Sequence, residues 1–494
     1  MTDAATSVHI QAPTDEVQHW ISGRAVPSLT GEHRRGVDPA TGGEGADVAL
    51  GTPADVDAAV RSAHAAAWGW RKVGSADRAR ILWQVGQLIR RDLQQLAELE
   101  VLDTGKPLKT ATAEVRGAAE YFEYYAGLVN LPAGDVIDVV PNQHVYTLRE
   151  PYGVIGVITP WNLPINQAAR AAAPALAAGN VIVAKPAEAT SRTTFALARL
   201  ATEAGLPDGV FNVVCGSGGV VGTEIVSHPL VRKVVFTGSV GVGKLIGHIA
   251  ADRILPLTLE LGGKSANIVF DDADLDFAAT EAVRAFTTNA GQVCSSGTRL
   301  LVQRSIHDEF VKSVVAVAEK LRVGEDVGPM ITADQYSTVL EYFDIARTEG
   351  ATAVLGGDRP TTESLSGGFY VNPTIYTQVD NSMRIAREEI FGPVLVVIAF
   401  DTEEEAIAIA NDSDFGLVSG VWTEDISRAL RVSEAIEAGQ IYVNTWSTAA
   451  VQASFGGQKA SGYGREKGIE ALNHYTQLKS VTVALRPSPT ALRD

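Results

Sequence analysis

The sequence predicts an α/β protein built from doubly wound, mainly parallel sheets, and three observations carry that prediction. From residue 154 onward, short β-branched runs alternate with Ala-rich segments of helical period. Those runs are almost continuously apolar, as strands must be when helices cover both faces of a sheet. The chain has 494 residues, 46% of them apolar, and is long enough for several cores.

In chain order, residues 52–70 read as a helix with Pro53 in its first turn and acids near its start. A longer helix is expected over 75–103, where Ile81, Leu82, Val85, Leu88, Ile89, Leu93 and Leu96 recur at spacings of three and four. Gly105 and Pro107 end it, and a third helix is expected over 111–129. Strands follow at 154–159, 181–184, 210–214 and 233–237, with helices at 165–178, 190–204 and 220–226 between them. A second α/β unit begins after Leu261: strands at 267–270 and 299–303, helices at 274–289 and 306–320, and further elements at 403–411, 418–422, 426–437 and 441–443. Residues 135–149 and 478–485 alternate apolar and polar, as strands of a small third sheet would. There is no internal repeat and no low-complexity linker.

Composition excludes several functions. A formal net charge of −17, from 41 basic and 58 acidic residues, repels phosphate backbones, so nucleic acid is not an expected partner. Two cysteines cannot form a disulfide scaffold, which suits a reducing compartment. The first twenty residues lack the apolar core of a secretion signal. No run of about 18 apolar residues occurs, and Arg170 interrupts the most apolar stretch. A soluble, cytoplasmic, multidomain protein with no membrane partner is expected.

Four clusters can carry chemistry. Cys294 lies in the turn NAGQVCSSG, where backbone amides can favour a thiolate; Cys215, in FNVVC, sits among apolar neighbours as a structural cysteine does. Glu260 ends an apolar strand before Gly262 and Gly263, at the sheet edge where α/β folds bind ligands. There a carboxylate can activate water against a thioester. In VVFTGSVGVGK, strand, Gly238-Ser239 and helix start offer free amides to a pyrophosphate, although Gly238, Gly241 and Gly243 do not make the usual dinucleotide fingerprint. Lys185 and Glu188, just past another strand, suit ribose hydroxyls, and the acid disfavours a 2′-phosphate, hence NAD over NADP. Each cluster alone also has a plain reading: an idle cysteine, a surface Glu, an ordinary βα turn, a solvated Lys–Glu turn.

Together, TPWN (159–162), KPAE (185–188), FTGS (236–239), ELGGK (260–264), GQVC (291–294), EEIFGP (388–393) and SFGGQKASGYGRE (454–466) resemble, in order, the signature of the aldehyde dehydrogenase superfamily. The resemblance runs from about Trp20 to Leu485 and points to the NAD-dependent, hydrolytic type. It implies Cys294 as nucleophile, the Asn162 amide and the Cys294 N–H as oxyanion donors, Glu260 as the base that activates water, and Glu466 as an outward proton relay. Lys185 and Glu188 would meet the adenine ribose; Trp161, Gly238, Ser239 and Gly243 the pyrophosphate; Glu389 and Phe391 the nicotinamide end. No metal is implied, for no His/Cys cluster has ligand spacing.

The implied architecture is a Rossmann-type cofactor domain (1–130 and 151–261), an α/β catalytic domain (262–462), and a small bridging β-sheet for oligomerisation (131–150 and 478–494), giving a homodimer or homotetramer. Leu163, Gln167, Arg170, Thr288, Val293, Trp446 and Phe455 are expected to line the aldehyde pocket. Trp446 and Phe455 suit a broad range of aliphatic or aromatic aldehydes. Arg170 matches an Arg that receives the carboxylate in succinate semialdehyde dehydrogenases, which makes a carboxylate-bearing semialdehyde the alternative. The second Arg of those enzymes is here Thr288. Retention of Cys294, Asn162 and Glu260 argues against a CoA-acylating relative, an acyl phosphate reductase or an inactive structural paralogue.

Overall fold

Five parallel strands, each nearly solid with branched apolar residues, form the centre of one sheet. In spatial order they are Leu257–Glu260, Val231–Thr237, Val154–Ile158, Val181–Lys185 and Phe211–Val213. Every residue of Val154–Ile158 and Val181–Lys185 is buried, which explains why the sequence shows no alternation there. Short antiparallel strands close the edges: Gly462–Tyr463 on one side, His19–Ile21 and Arg24–Val26 on the other, eight strands in all. The computed structural model describes residues 16–131, 133–139, 141–446 and 450–485.

A second sheet has seven strands in the order Thr352–Leu355, Thr374–Thr377, Val394–Phe400, Arg299–Gln303, Ala266–Val269, Val418–Trp422 and Gln440–Val443. Only the outermost, Thr352–Leu355, is antiparallel. Successive residues feed opposite cores: Leu300 and Val302 pack on one face with Val397 and Trp422, while Leu301 packs on the other with Val396 and Val421. The third sheet is antiparallel. Thr476–Ala484 pairs with Gln143–Pro151 along its whole length, and Val136–Ile137 adds a short edge.

Local chemistry explains the element boundaries. Thr52 and Asp55 form a reciprocal capping box that starts Pro53–Lys72, with Thr52 N–H donating to Asp55 at 2.8 Å. The single helix expected over 75–103 is two, Ser75–Arg91 and Leu93–Thr104. Asp92 leaves helical geometry between them (φ −99°, ψ 18°), which lets both segments pack on Leu108–Ala126. The second ends at Gly105 in the left-handed region, φ +66°.

Several elements were not foreseen. The strands between residues 16 and 49 are short and interrupted by charges. Helix Ala333–Glu349 carries apolar residues on more than one side, and strand Val394–Phe400 is too short and uniformly apolar to show a period. Of the expected segments, 1–15, 132, 140, 447–449 and 486–494 lie outside the described residues. Among the described residues no helix is long and apolar enough to cross a membrane.

Trp70 fastens the first helix to helix Pro164–Ala177. It is 1% exposed, and its Nε1 donates to the Leu176 carbonyl at 3.2 Å. Trp70→Ala is expected to cost about 3–5 kcal/mol, read as a lower thermal unfolding midpoint.

Candidate active site

The turn that carries Cys294 is held under backbone strain. Helix Leu275–Thr287 ends, and the chain then passes through three successive left-handed residues: Asn289 (φ 51°), Ala290 (φ 53°) and Gly291 (φ 73°). A β-carbon at Gly291 would overlap the Gly392 backbone, so only glycine fits. Positive φ at Asn289 and Ala290 costs about 1–3 kcal/mol each, and buried hydrogen bonds sustain it. Gln292 donates to the Asn289 and Pro329 carbonyls, both at 3.1 Å, and accepts from Ile331 N–H at 2.9 Å. Cys294 emerges half-buried, its carbonyl 2.6 Å from where a β-carbon of Gly263 would lie. Burial pushes the thiol up to about 11; Arg170 and Lys467 pull it down, while Glu389 and Glu260 push it further up. Desolvation thus opposes the thiolate that the amides of the turn would favour.

Asn162 lies on the turn between Val154–Ile158 and helix Pro164–Ala177. Its carbonyl accepts from Lys106 Nζ at 2.9 Å and from Asn289 Nδ2 at 3.0 Å, and its own Nδ2 donates to the Gln292 carbonyl at 2.9 Å. Lys106 also meets Glu114 at 2.6 Å and Glu100 at 3.9 Å, all three side chains being buried. Glu100 in turn accepts from Ile165 N–H at 2.9 Å and Thr193 Oγ1 at 2.6 Å. Lys106, Glu100, Glu114 and Asn289 were not singled out from sequence; Lys106 lies between Gly105 and Pro107, the residues expected to end the helix.

Glu260 ends its strand beside Thr237 and Gly462. It is 2% exposed and neither carboxylate oxygen has a hydrogen-bond partner. Burial, then the nearby Glu466, push its pKa well above the usual carboxylate range, with Arg170 opposing. Arg170 lies 4.0 Å from Glu260, is bonded to Glu466, and sits 4.7 Å over the Phe455 ring. Arg170, which made a carboxylate-bearing semialdehyde the alternative substrate, already has an internal counter-ion in Glu466, as a buried guanidinium needs.

Across the cleft, Glu389 accepts from Gly263 N–H at 3.1 Å, and burial pushes its pKa up to about 7. A β-carbon at Gly262 would overlap that carboxylate. Phe391 adopts φ 57°, its carbonyl held by Gln335 Nε2 at 3.0 Å, and its ring meets Trp161 edge-on at 5.4 Å. A cavity of about 530 Å³ is lined by Trp161, Lys185, Glu188, Arg34, Leu50 and Gln335. Lys185 is buried, donates to the Pro186 carbonyl at 2.7 Å and is pushed down to about 8 by burial; Glu188 lies 3.5 Å from Arg34. Ser239 caps helix Val240–Ala251, accepting from Val242 N–H at 3.4 Å, and Gly238 abuts the Phe236 ring. Gly243 has a packing role of its own. It faces Leu261 at the helix–sheet contact, where a β-carbon would sit 2.7 Å from Cδ2, so close packing explains this glycine without any phosphate.

A small cavity of about 70 Å³ lies among Arg284, Thr288, Val293, Ser295 and Trp446. Trp446 is buried against Gly297 and its N–H donates to Glu281 at 3.1 Å. Leu163 is the half-buried residue before helix Pro164–Ala177, next to Asn162, and Gln167 is buried one turn on. Among the described residues no group of three His, Cys, Asp or Glu side chains is arranged to hold a metal ion.

A sequence model of the aldehyde dehydrogenase family matches residues 26–481. Solved structures with similar sequence and fold include an indole-3-acetaldehyde dehydrogenase from P. syringae in complex with NAD+ (39% identity, 95% of this chain and 96% of that one, TM-score 0.93). Betaine aldehyde dehydrogenase from Staphylococcus aureus, also in complex with NAD+, is 37% identical over 97% of this chain and 99% of that one, with TM-score 0.93. The HpcC protein of Thermus thermophilus is 41% identical over 95% of this chain and 93% of that one, with TM-score 0.93.

Lys106→Met would leave Glu100 and Glu114 buried without their cation. It is expected to cost about 3–5 kcal/mol, and Lys106→Met combined with Glu114→Gln should recover part of that loss in thermal unfolding.

Proposed function

The chain belongs to the aldehyde dehydrogenase family, and from that premise we propose that its site oxidises an aldehyde to the carboxylic acid through a covalent thioester on Cys294. The chain is an NAD-dependent aldehyde oxidoreductase. The observation that carries the hydrolytic route is Glu260: a carboxylate with both oxygens buried and unpartnered, in the same site as the Cys294 thiol. Leaving such a group without a hydrogen bond costs several kcal/mol, a cost that a catalytic base repays.

In the proposed sequence the Cys294 sulfur attacks the aldehyde carbon as the thiolate, its proton passing to solvent and its charge favoured by Arg170 and Lys467. The second N–H of the Asn162 amide and the Cys294 N–H take the developing oxyanion, an interaction of about 3–4 kcal/mol in such sites. Lys185, Glu188, Trp161, Ser239, Gly238, Glu389 and Phe391 would hold NAD, and the 530 Å³ cavity between Lys185, Glu188 and Trp161 fits that assignment. NAD, when bound, supplies the hydride acceptor for the carbon attached to Cys294. Glu260 then draws a proton from water, whose oxygen attacks the thioester carbon and expels the Cys294 sulfur, releasing the carboxylic acid. We assign Glu466 the electrostatic role of keeping Glu260 basic in place of an outward relay, because Arg170 already occupies its carboxylate.

Glu188 favours NAD over NADP by repelling a 2′-phosphate, with Arg34 balancing that charge only in part. For substrate we propose a broad range of neutral aliphatic or aromatic aldehydes. Arg170 is engaged by Glu466, and the pocket is faced by Thr288, Val293 and Trp446. We place the enzyme in the cytoplasm as a homodimer or homotetramer. One face of the third sheet exposes Val136, Leu148 and Val483, an apolar surface that a second copy would cover.

Cys294→Ala is expected to form no NADH from any aldehyde. Glu260→Gln should release at most one equivalent per site while an acyl adduct accumulates on Cys294; intact-mass spectra that never show the adduct would sink the covalent route. Turnover should rise with pH as Glu260 ionises, since its folded-state pKa is raised and the charged form is the base. Glu466→Gln removes a negative neighbour, lowers that pKa, and should move the rising limb of the pH–rate profile to lower pH.

A further inference from the structure

Two protein cations lie on one aromatic ring beside the nucleophile, and they are not equivalent. Phe455 is buried in the same apolar cluster as Trp446 and the Cys294 side chain. Arg170 Cζ lies 4.7 Å from the centre of its ring and Lys467 Nζ lies 5.2 Å from it. Arg170 is neutralised by Glu466. Among the described residues Lys467 has no carboxylate within ion-pair distance, and Glu466 and Glu260 act on its charge only from further away.

The backbone holds Lys467 there. It adopts φ 57°, a left-handed conformation costly for a side chain of this size. Its neighbours enforce that geometry: Glu466 and Phe455 exchange backbone hydrogen bonds at 2.8 and 2.7 Å, Gly468 N–H donates to Val451 at 2.8 Å, and the Gly468 carbonyl accepts from Tyr125 at 2.9 Å. Arg465 adds a third cation whose guanidinium donates to the Gly457 and Gly464 carbonyls, at 3.0 and 2.7 Å, instead of to an acid. Against these three stand Glu466, Glu260 and Glu389, and burial drives Glu260 and Glu389 towards their neutral forms. The site thus has surplus positive charge, and Lys467, pushed down to about 8 by burial, keeps most of its charge at neutral pH.

Phe455 is the ring that would otherwise attract a cationic substrate, because an aromatic face draws cations within about 6 Å. Here the protein's own cations already occupy it. We propose that Lys467 acts as a charge filter on the aldehyde, admitting neutral and anionic bodies and rejecting those that carry an ammonium group. This rests on the assignment of the aldehyde to Cys294.

The test is a pair of aldehydes of one shape, 3,3-dimethylbutanal and (trimethylammonio)acetaldehyde, which differ by a carbon against a charged nitrogen. The wild-type protein is expected to favour the neutral one in kcat/KM by on the order of a hundredfold, the scale of two like charges several ångströms apart in a partly desolvated site. In Lys467→Met that ratio should fall at least about tenfold, and in Lys467→Arg it should persist. A wild-type ratio near one overturns the filter by itself, even if the Met variant does not fold. So does a Met variant that alters both aldehydes alike, as lost packing on Phe455 would. A protein that forms no NADH from 3,3-dimethylbutanal or any other aldehyde overturns the proposed reaction instead.

Discussion

One carbonyl oxygen ties the two large sheets together at the point where chemistry is placed. Asn162 O accepts a hydrogen bond from Lys106, on the helical side of the first sheet, and another from Asn289, on the turn that follows a helix of the second. The Asn162 amide in turn donates to the Gln292 carbonyl, two residues before Cys294. A peptide group with both oxygen lone pairs used by buried donors has little freedom, because losing either bond leaves a desolvated polar atom. The amide of Asn162 and the sulfur of Cys294 are therefore held relative to each other by the structure, whatever ligand arrives.

The cost of that arrangement is charge taken out of water. Lys106, Glu100 and Glu114 are buried together, as are Arg170, Glu466 and Glu260. Burial is the largest cause driving carboxyl pKa values upward there: Glu114 to about 8, Glu389 across the cleft to about 7, and Glu260 well above the usual carboxylate range. The first set spends its charges on holding backbone. In the second, Glu260 is left without any hydrogen bond, and a carboxylate in that condition is worth more as a proton acceptor than as a structural element. The same desolvation raises Cys294, so nucleophile and base are matched by one physical cause.

Glycines set the distances. Gly262 and Gly263 let Glu389 and the Cys294 carbonyl approach the strand end that carries Glu260, and any β-carbon there would push one of them away. Gly291 does the same for the Gly392 backbone, bringing the EEIFGP turn against the nucleophile's turn. Positive φ at Phe391 and Lys467 shows that other residues near the cleft accept strain where neighbouring hydrogen bonds enforce it.

Much of this was legible in the residues. Continuous apolar runs marked the parallel strands, alternation marked 135–149 and 478–485 as a separate sheet, and the neighbourhoods of Cys294, Glu260 and Lys185 stood out as chemistry. Such features are local: a period, a turn former, a reactive side chain among small ones. The break at Asp92 was not legible, because helix signals continue through it, nor was the packing role of Gly243. Lys106, Asn289 and Lys467 were invisible for a deeper reason, since their partners are 56, 127 and 12 positions away. The sequence by itself determined which side chains could react and which segments could be strands. Only tertiary structure decided that Arg170 would meet Glu466 and leave Lys467 uncompensated, because the pairing of buried charges depends on where distant segments come to rest.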